Sequence, residues 1–212
     1  MSNRIHLTSI INKISEETST GPSHTFSSSH AYKAIVTIGE RSFIGRNALA
    51  NELSIGPGVI RTLLNRLKEH KLILIEQRGI ILTAKGEQIY QAFKRRIPSS
   101  REIDAGRLSI GKYNHIILLR GISKPDNLTL EQRDAAVRGG ATGAATIFFQ
   151  DGRFLMPMGS ADCESDFPGQ IWENLRTEFD LKNGDVMIIA GAETKGQAEY
   201  GALSAGWTLM VR

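Results

Sequence analysis

Residues 42–85 read SFIGRNALANELSIGPGVIRTLLNRLKEHKLILIEQRGIILTAK, and their periodicity decides the fold. Ala48, Leu49 and Leu53 recur at helical spacing, leaving Asn47, Asn51 and Glu52 outside. Ser54-Ile-Gly-Pro-Gly58 breaks that period. Gly56 is open to a turn conformation closed to other residues, and Pro57 suits the first turn of a new helix, where its missing N–H costs nothing. The helix that follows sets Ile60, Leu63, Leu64 and Leu67 on one face and Arg61, Thr62, Asn65, Arg66 and Lys68 on the other. Past Leu72 the period shortens to that of strands: Ile73-Leu-Ile75, a turn at Gln77-Arg-Gly79, then Ile80-Ile-Leu82. Two helices about a glycine-bearing turn, the second basic, followed by a hairpin, form the layout of a winged helix-turn-helix.

Upstream, Tyr32, Ala34, Ile35 and Ile38 form the buried stripe of a preceding helix, with Ser28 or Ser29 as its cap. Residues 18–29 are rich in Ser, Thr, Gly and Pro and read as a loop. Before them, Leu7, Ile10, Ile11 and Ile14 define a short amphipathic helix that needs a surface to dock on. That surface is either the winged helix or the same element of a second subunit, and the second option is favoured. Downstream, Ile89, Tyr90 and Phe93 lie on a helix ending in Lys94-Arg-Arg96, and Ile97-Pro98-Ser-Ser100 breaks it. The expected organisation is a helix and linker over 1–27, a winged helix-turn-helix over 28–97, and a second domain over 101–212.

In such folds the N-terminal part of the second helix enters the major groove of duplex DNA. Here that part exposes Gly58, Arg61, Thr62 and Asn65. Gly58 permits close backbone approach, the planar donors of Arg61 suit guanine, and the Asn65 amide suits adenine. Arg46, Lys68, Gln77 and Arg78 stand where phosphates or a flanking groove would be met. Charge follows the same division: residues 1–100 carry a net +7 and residues 101–212 a net −3. Only the first half is therefore suited to a polyanion. The alternative is an adaptor whose winged helix docks on a partner protein without reading a DNA sequence.

Composition excludes several classes. Hydrophobic residues make up 41% and charged residues 23%, as in ordinary globular chains. No run of about 18 apolar residues occurs, so no membrane helix is expected. The N-terminal stretch is too polar for a secretory signal, and the single cysteine, Cys163, rules out an internal disulfide and a cysteine-based zinc finger. A cytoplasmic protein is expected.

The second half alternates differently. His115–Leu119 is a strand, and Thr129-Leu-Glu-Gln132 is a capping box opening a helix to Val137, stopped by Gly139-Gly140. Residues 142–149 return as a strand, and Asp151-Gly152 turns it into Arg153–Met156. A polar, acidic loop over 157–168, a helix over 169–179, a strand over 185–190, a helix over 194–205 and a closing strand over 207–211 complete the order β-α-β-β-α-β-α-β. The expectation is a compact α+β domain of one sheet covered by helices.

No enzyme is expected there. Asp162, Glu164 and Asp166 match no calcium-loop pattern, and Gly139-Gly-Ala-Thr-Gly143 follows a helix and precedes a strand, the wrong order for a phosphate cradle. Cys163 has no evident histidine partner, so neither a cofactor nor a metal is called for. Arg133, Asp134, Glu193 and Thr194 are the candidate ligand-binding residues, because a charged group at a strand end beside a helix start is where small polar molecules are held. The competing assignment is an internal salt bridge such as Arg133 with Glu193.

The segments LSIGPGVIRTLLNRLKEHKLILIEQRGIILTAKGEQI (53–89), EQRDAAVRGGATGAATIFFQDGRFLMP (131–157) and NGDVMIIAGAETKGQAEYGALSAGW (183–207) resemble an archaeal winged-helix family whose C-terminal domain is of uncharacterised function. The matching residues include Arg133, Asp134, Ala136, Gly143, Pro157, Gly184, Asp185, Ala192, Glu193 and Thr194. The segment before Ser28 is a departure from that pattern. The resemblance implies a transcriptional regulator with an α+β second domain, and it lends no catalytic residues. The partners expected from the residues themselves are double-stranded DNA, a second copy in a homodimer and a small-molecule effector.

Overall fold

The computed structural model describes residues 2–16, 26–122, 130–157 and 159–211, residues 2–7 by their backbone alone. They divide into two compact units, one reaching to Arg95 and one running from Arg96 to Met210. Much of the expected 18–29 loop, and Thr129 of the expected capping box, lie outside the described residues.

The first unit opens with α1 (Ser2–Glu16), which packs on α2 (Ser28–Arg41) and on α4 (Pro57–Glu69). Ile11 and Ile14 are fully buried there, and the Arg66 guanidinium donates from Nη1 to the Ile14 carbonyl at 2.8 Å while lying over the Phe26 ring. Ile11 and Ile14 of the α1 stripe are thus covered by their own chain, where pairing with a second subunit is the favoured expectation. Arg66 likewise leaves the outer face of α4 that helical spacing gave it. Its long stem lets it lie along apolar surface and bond inward.

The N-cap of α2 is Ser27, one residue before the expected position. His30, three residues on, accepts the Ser27 backbone N–H on Nδ1 at 3.2 Å, the role a glutamate plays in a capping box. Burial, with the nearby Lys33 charge adding to it, pulls the His30 pKa down to about 4 from 6.5. The unfolded chain therefore takes up this proton first as pH falls, and the folded state loses stability from about pH 6.5 down to about 4. Acid titration of unfolding should show that decline, and His30→Gln, which keeps an acceptor but cannot titrate, should flatten it.

A short α3 (Arg46–Glu52) precedes the turn. Leu49 and Ala50 are its buried residues, with Leu53 buried at its C-cap, so Ala50 takes the inward place expected of Ala48. The left-handed residue of the turn is Ser54 (φ 53°), and Gly56 is an extended N-cap (φ −72°, ψ 166°). The reversal falls early because the Ser54 and Ile55 N–H groups close on the Asn51 and Ala50 carbonyls, ending α3 directly. Pro57 is the first residue of α4, as expected. The wing is β1 (Ile73–Glu76) paired with β2 (Gly79–Leu82), and Ile44 joins it at a single antiparallel bridge of two hydrogen bonds with Ile80. Gly79 is required twice over: its φ is +137°, and a Cβ would stand 2.8 Å from the Ile44 carbonyl oxygen. The unit closes with α5 (Ala84–Arg96), whose Phe93 meets Tyr32 edge to face at 4.8 Å.

The second unit is one antiparallel sheet of five strands. In chain order these are β3 (Ser99–Glu102), β4 (Tyr113–Leu119), β5 (Gly143–Gln150), β6 (Arg153–Leu155) and β7 (Asp185–Ala192). Across the sheet the order is β3-β4-β7-β5-β6. Between β4 and β5 lies α6 (Leu130–Arg138), between β6 and β7 lie α7 (Cys163–Asp166) and α8 (Ile171–Glu178), and α9 (Lys195–Met210) ends the chain. Every residue of the central β7 is buried. Ile116, Leu118, Ile147, Met187 and Ile189 face a core completed by Phe154, Cys163, Trp172 and Leu175. On the other face α9 packs against β4 and β7, and α6 against α9 and β5.

Strand count agrees with expectation but strand identity does not. The stretch 97–100, read as a break, leads directly into the edge strand β3, whose alternating burial is that of a half-covered edge. The closing strand at 207–211 is absent among the described residues, because α9 continues to Met210. Gly206 does not stop the helix: a Cβ there would lie 2.4 Å from Ile117 Cδ1, so glycine is what lets α9 lie against β4. Ten of the sixteen α9 residues are buried, so no polar face marks its helical period.

Candidate nucleic-acid interface

The rotation of α4 is set by Ile60, Leu63, Leu64 and Leu67, all buried. That leaves Gly58, Arg61, Asn65 and Lys68 exposed, while Thr62 is half-buried and donates its hydroxyl to the Gly58 carbonyl at 3.2 Å. Beyond its chain neighbours and its own turn of helix, nothing lies within 4 Å of where a Gly58 Cβ would be, so the space over the start of α4 is open. Gln77 and Arg78 form the two-residue tip between β1 and β2, and both are exposed. Arg46 opens α3, also exposed. Among the described residues none of Arg46, Arg61, Lys68 and Arg78 has an ion-pair partner, whereas Arg41 is paired with Glu52 and Lys94 with Glu40. Among the described residues Lys13, Lys71 and Arg95 also have no ion pair, so what sets Arg46, Arg61, Lys68 and Arg78 apart is their position on α4, at the α3 start and on the wing.

A shallow groove of about 480 Å³ connects two of these elements, lined by Gly45 to Ala48, Leu64 and Ile75 to Ile80. It brings Arg46 beside Gln77 and Arg78, and adds Asn47, which periodicity had set aside as plain surface, and Ala48, which periodicity had turned inward. The available signal was their position at the start of a helix that precedes a wing.

The candidate ligand residues of the second unit do not converge. Arg133 and Asp134 are both exposed on α6, and Arg133 reaches Asp134 at 3.9 Å rather than Glu193. The apolar residues of that helix are Leu130, Ala136 and Val137; of these only Ala136 is buried, with Gln132 and Ala135, while Leu130 and Val137 are exposed. Glu193 is exposed. Thr194 caps α9, its hydroxyl accepting the Gln197 N–H at 3.3 Å. That is a structural use of the hydroxyl.

The acidic loop is tied into the fold. Asp162 caps α7 by accepting the Ser165 N–H, and Glu164 pairs with Arg176. The Arg176 guanidinium lies over the Phe154 ring at 4.6 Å, and its buried Nη1 makes no hydrogen bond. Cys163 is buried, and desolvation raises its thiol pKa. Its thiolate population is correspondingly low. A thiol reagent added to the native protein should leave Cys163 unmodified over hours, and unfolding should release one equivalent of reactive thiol.

The fold and this surface define a two-part protein, a winged-helix unit joined to an antiparallel-sheet unit. A family model described as PH0730-like, N-terminal domain, matches residues 34–88, and one described as a domain of unknown function (DUF4443) matches residues 110–209. The hypothetical protein PH0730 from Pyrococcus horikoshii OT3 is similar over 87% of this chain and 92% of that one, with 23% identity and a TM-score of 0.69. That likeness carries the fold. The crystal structure of ligand-free NadR is matched over 43% of this chain and 61% of that one, with 20% identity and a TM-score of 0.30, too low to support an argument. No curated protein matches. Among the described residues no helix is long and apolar enough to cross a membrane.

Proposed function

We propose that the protein is a cytoplasmic transcriptional regulator that binds duplex DNA through its first unit. The observation supporting this most strongly is the clustering of unpaired cations with Asn65 and the open Gly58 on the outer side of α4 and the adjoining wing. In this reading Arg61 and Asn65 read base edges, while Arg46, Lys68, Gln77 and Arg78 hold the phosphates or the flanking groove. The second unit carries assembly or effector sensing and no catalysis. An effector would act by favouring one arrangement of two DNA-reading helices over another.

One observation favours the adaptor as a second reading. Leu74 and Ile75 on β1 are about half exposed, and Phe43 is 58% exposed, which is apolar surface that DNA does not need. Selection from a random duplex pool across a salt series separates the two. A regulator enriches one motif that survives moderate salt, whereas an adaptor shows weak binding that disappears with salt and enriches nothing.

A further inference from the structure

The outer face of α6 offers a surface with a pattern of its own. The helix cannot roll, because Ala135 and Ala136 are buried beneath it and the Gln132 amide donates to the Thr208 hydroxyl of α9 at 2.9 Å. It therefore holds Leu130 and Val137 outward, 59% and 48% exposed. Seven residues are close to two turns, so these two side chains stand nearly one above the other. Arg133 and Asp134, 60% and 57% exposed, lie three and four residues from Leu130 and flank that line on opposite sides. The result is an apolar midline with a cation on one flank and an anion on the other at almost the same height.

We infer that this face seats the α6 of a second copy of the chain, the two helices running parallel about a two-fold axis along their length. A parallel two-fold brings the left flank of one helix to the right flank of its partner. Each Arg133 then meets the other copy's Asp134, twice over, while Leu130 and Val137 meet their own counterparts on the midline. An antiparallel two-fold would set Arg133 against Arg133 and Asp134 against Asp134, so charge selects the parallel arrangement. Nine residues give a helix only about 13 Å long, too little for a standard interface, and the self-association is correspondingly weak.

The test uses the full chain without DNA, so it is independent of the proposed function. Sedimentation over a concentration series should show a reversible monomer–dimer equilibrium. Arg133→Asp and Asp134→Arg should each weaken it about tenfold or more by placing like charges face to face. Mixing those two variants should restore association as a one-to-one heterodimer, and the double exchange R133D/D134R should restore it within a single chain. Val137→Cys should form an intermolecular disulfide under mild oxidation, since a parallel two-fold brings position 137 to its own copy, and the native Cys163 is buried. Circular dichroism of each variant checks folding, and all the substituted positions are exposed. A wild-type chain that stays monomeric, or a dimer indifferent to both charge reversals, overturns the inference. So does a Val137→Cys variant that forms no disulfide while dimerisation persists.

Discussion

Replacing Arg61 and Asn65 together by alanine is expected to lower affinity for the selected DNA site by about 100-fold or more. Each well-placed bidentate contact to a base edge contributes about 1–3 kcal/mol of discrimination, and the two side chains lie a helical turn apart on the same outer face of α4. Both are exposed, and neither makes a hydrogen bond or ion pair among the described residues, so thermal stability should stay within about 0.5 kcal/mol of wild type. The loss should be confined to the preferred sequence, leaving binding to random duplex nearly unchanged. Lys68→Ala and Arg78→Ala should behave differently, weakening all sequences alike and each reducing the salt slope by about one. Titration of the selected and a scrambled duplex at several salt concentrations measures both effects. A double variant that still binds its site at wild-type strength would remove α4 from the interface.

Gly191→Ala is expected to destabilise the second unit by about 3 kcal/mol, through a clash that cannot relax. Gly191 sits in the central strand, paired with Gly143 on one side and with Asn114 on the other. Over it passes the segment 110–111, held by Asn114, whose side-chain oxygen accepts the Ile110 N–H while its amide donates to the Gly111 carbonyl, both at 3.0 Å. A Cβ at 191 would stand 2.5 Å from the Gly111 nitrogen and 2.7 Å from the Ile110 carbonyl carbon. Those are backbone atoms between two fixed strands, not the end of a flexible side chain. Chemical denaturation followed through Trp172, which is buried in this unit, should report the loss. By contrast Gly152→Ala, at a hairpin turn with open space around it, should cost only the strain of its positive φ.

The winged helix was legible because its signals are local. The leucine spacing of α4, Pro57 at its first position and the two short apolar runs of β1 and β2 about the Gln77-Arg78 turn are each set by residues close together in the chain. The same holds for the general α+β character of the second unit, whose hairpin at Asp151-Gly152 and a strand at 185–190, two residues short of β7, are read from the sequence alone. What was misread depended on partners far along the chain. The edge strand β3 has only four residues and is recognisable by its pairing with β4, not by its own content. The end of α9 read as a strand because a helix buried on nearly all sides loses its polar period, and only Ile117 explains why Gly206 is inside it.

The site divides in the same way. Sequence determined which residue types line the outer face of α4, since that face is whatever the leucine stripe leaves over. Tertiary structure decided which of them stay available, turning Arg66 inward to the Ile14 carbonyl and Phe26 and gathering Arg46, Asn47 and the wing tip around one groove. It also decided the face of α6, where the small residues Ala135 and Ala136 went inward and Leu130 and Val137 went out. Hydrophobicity alone would turn Leu130 and Val137 inward with Ala136, but α6 lies close against α9, and close approach of two helices selects for small side chains over greasy ones.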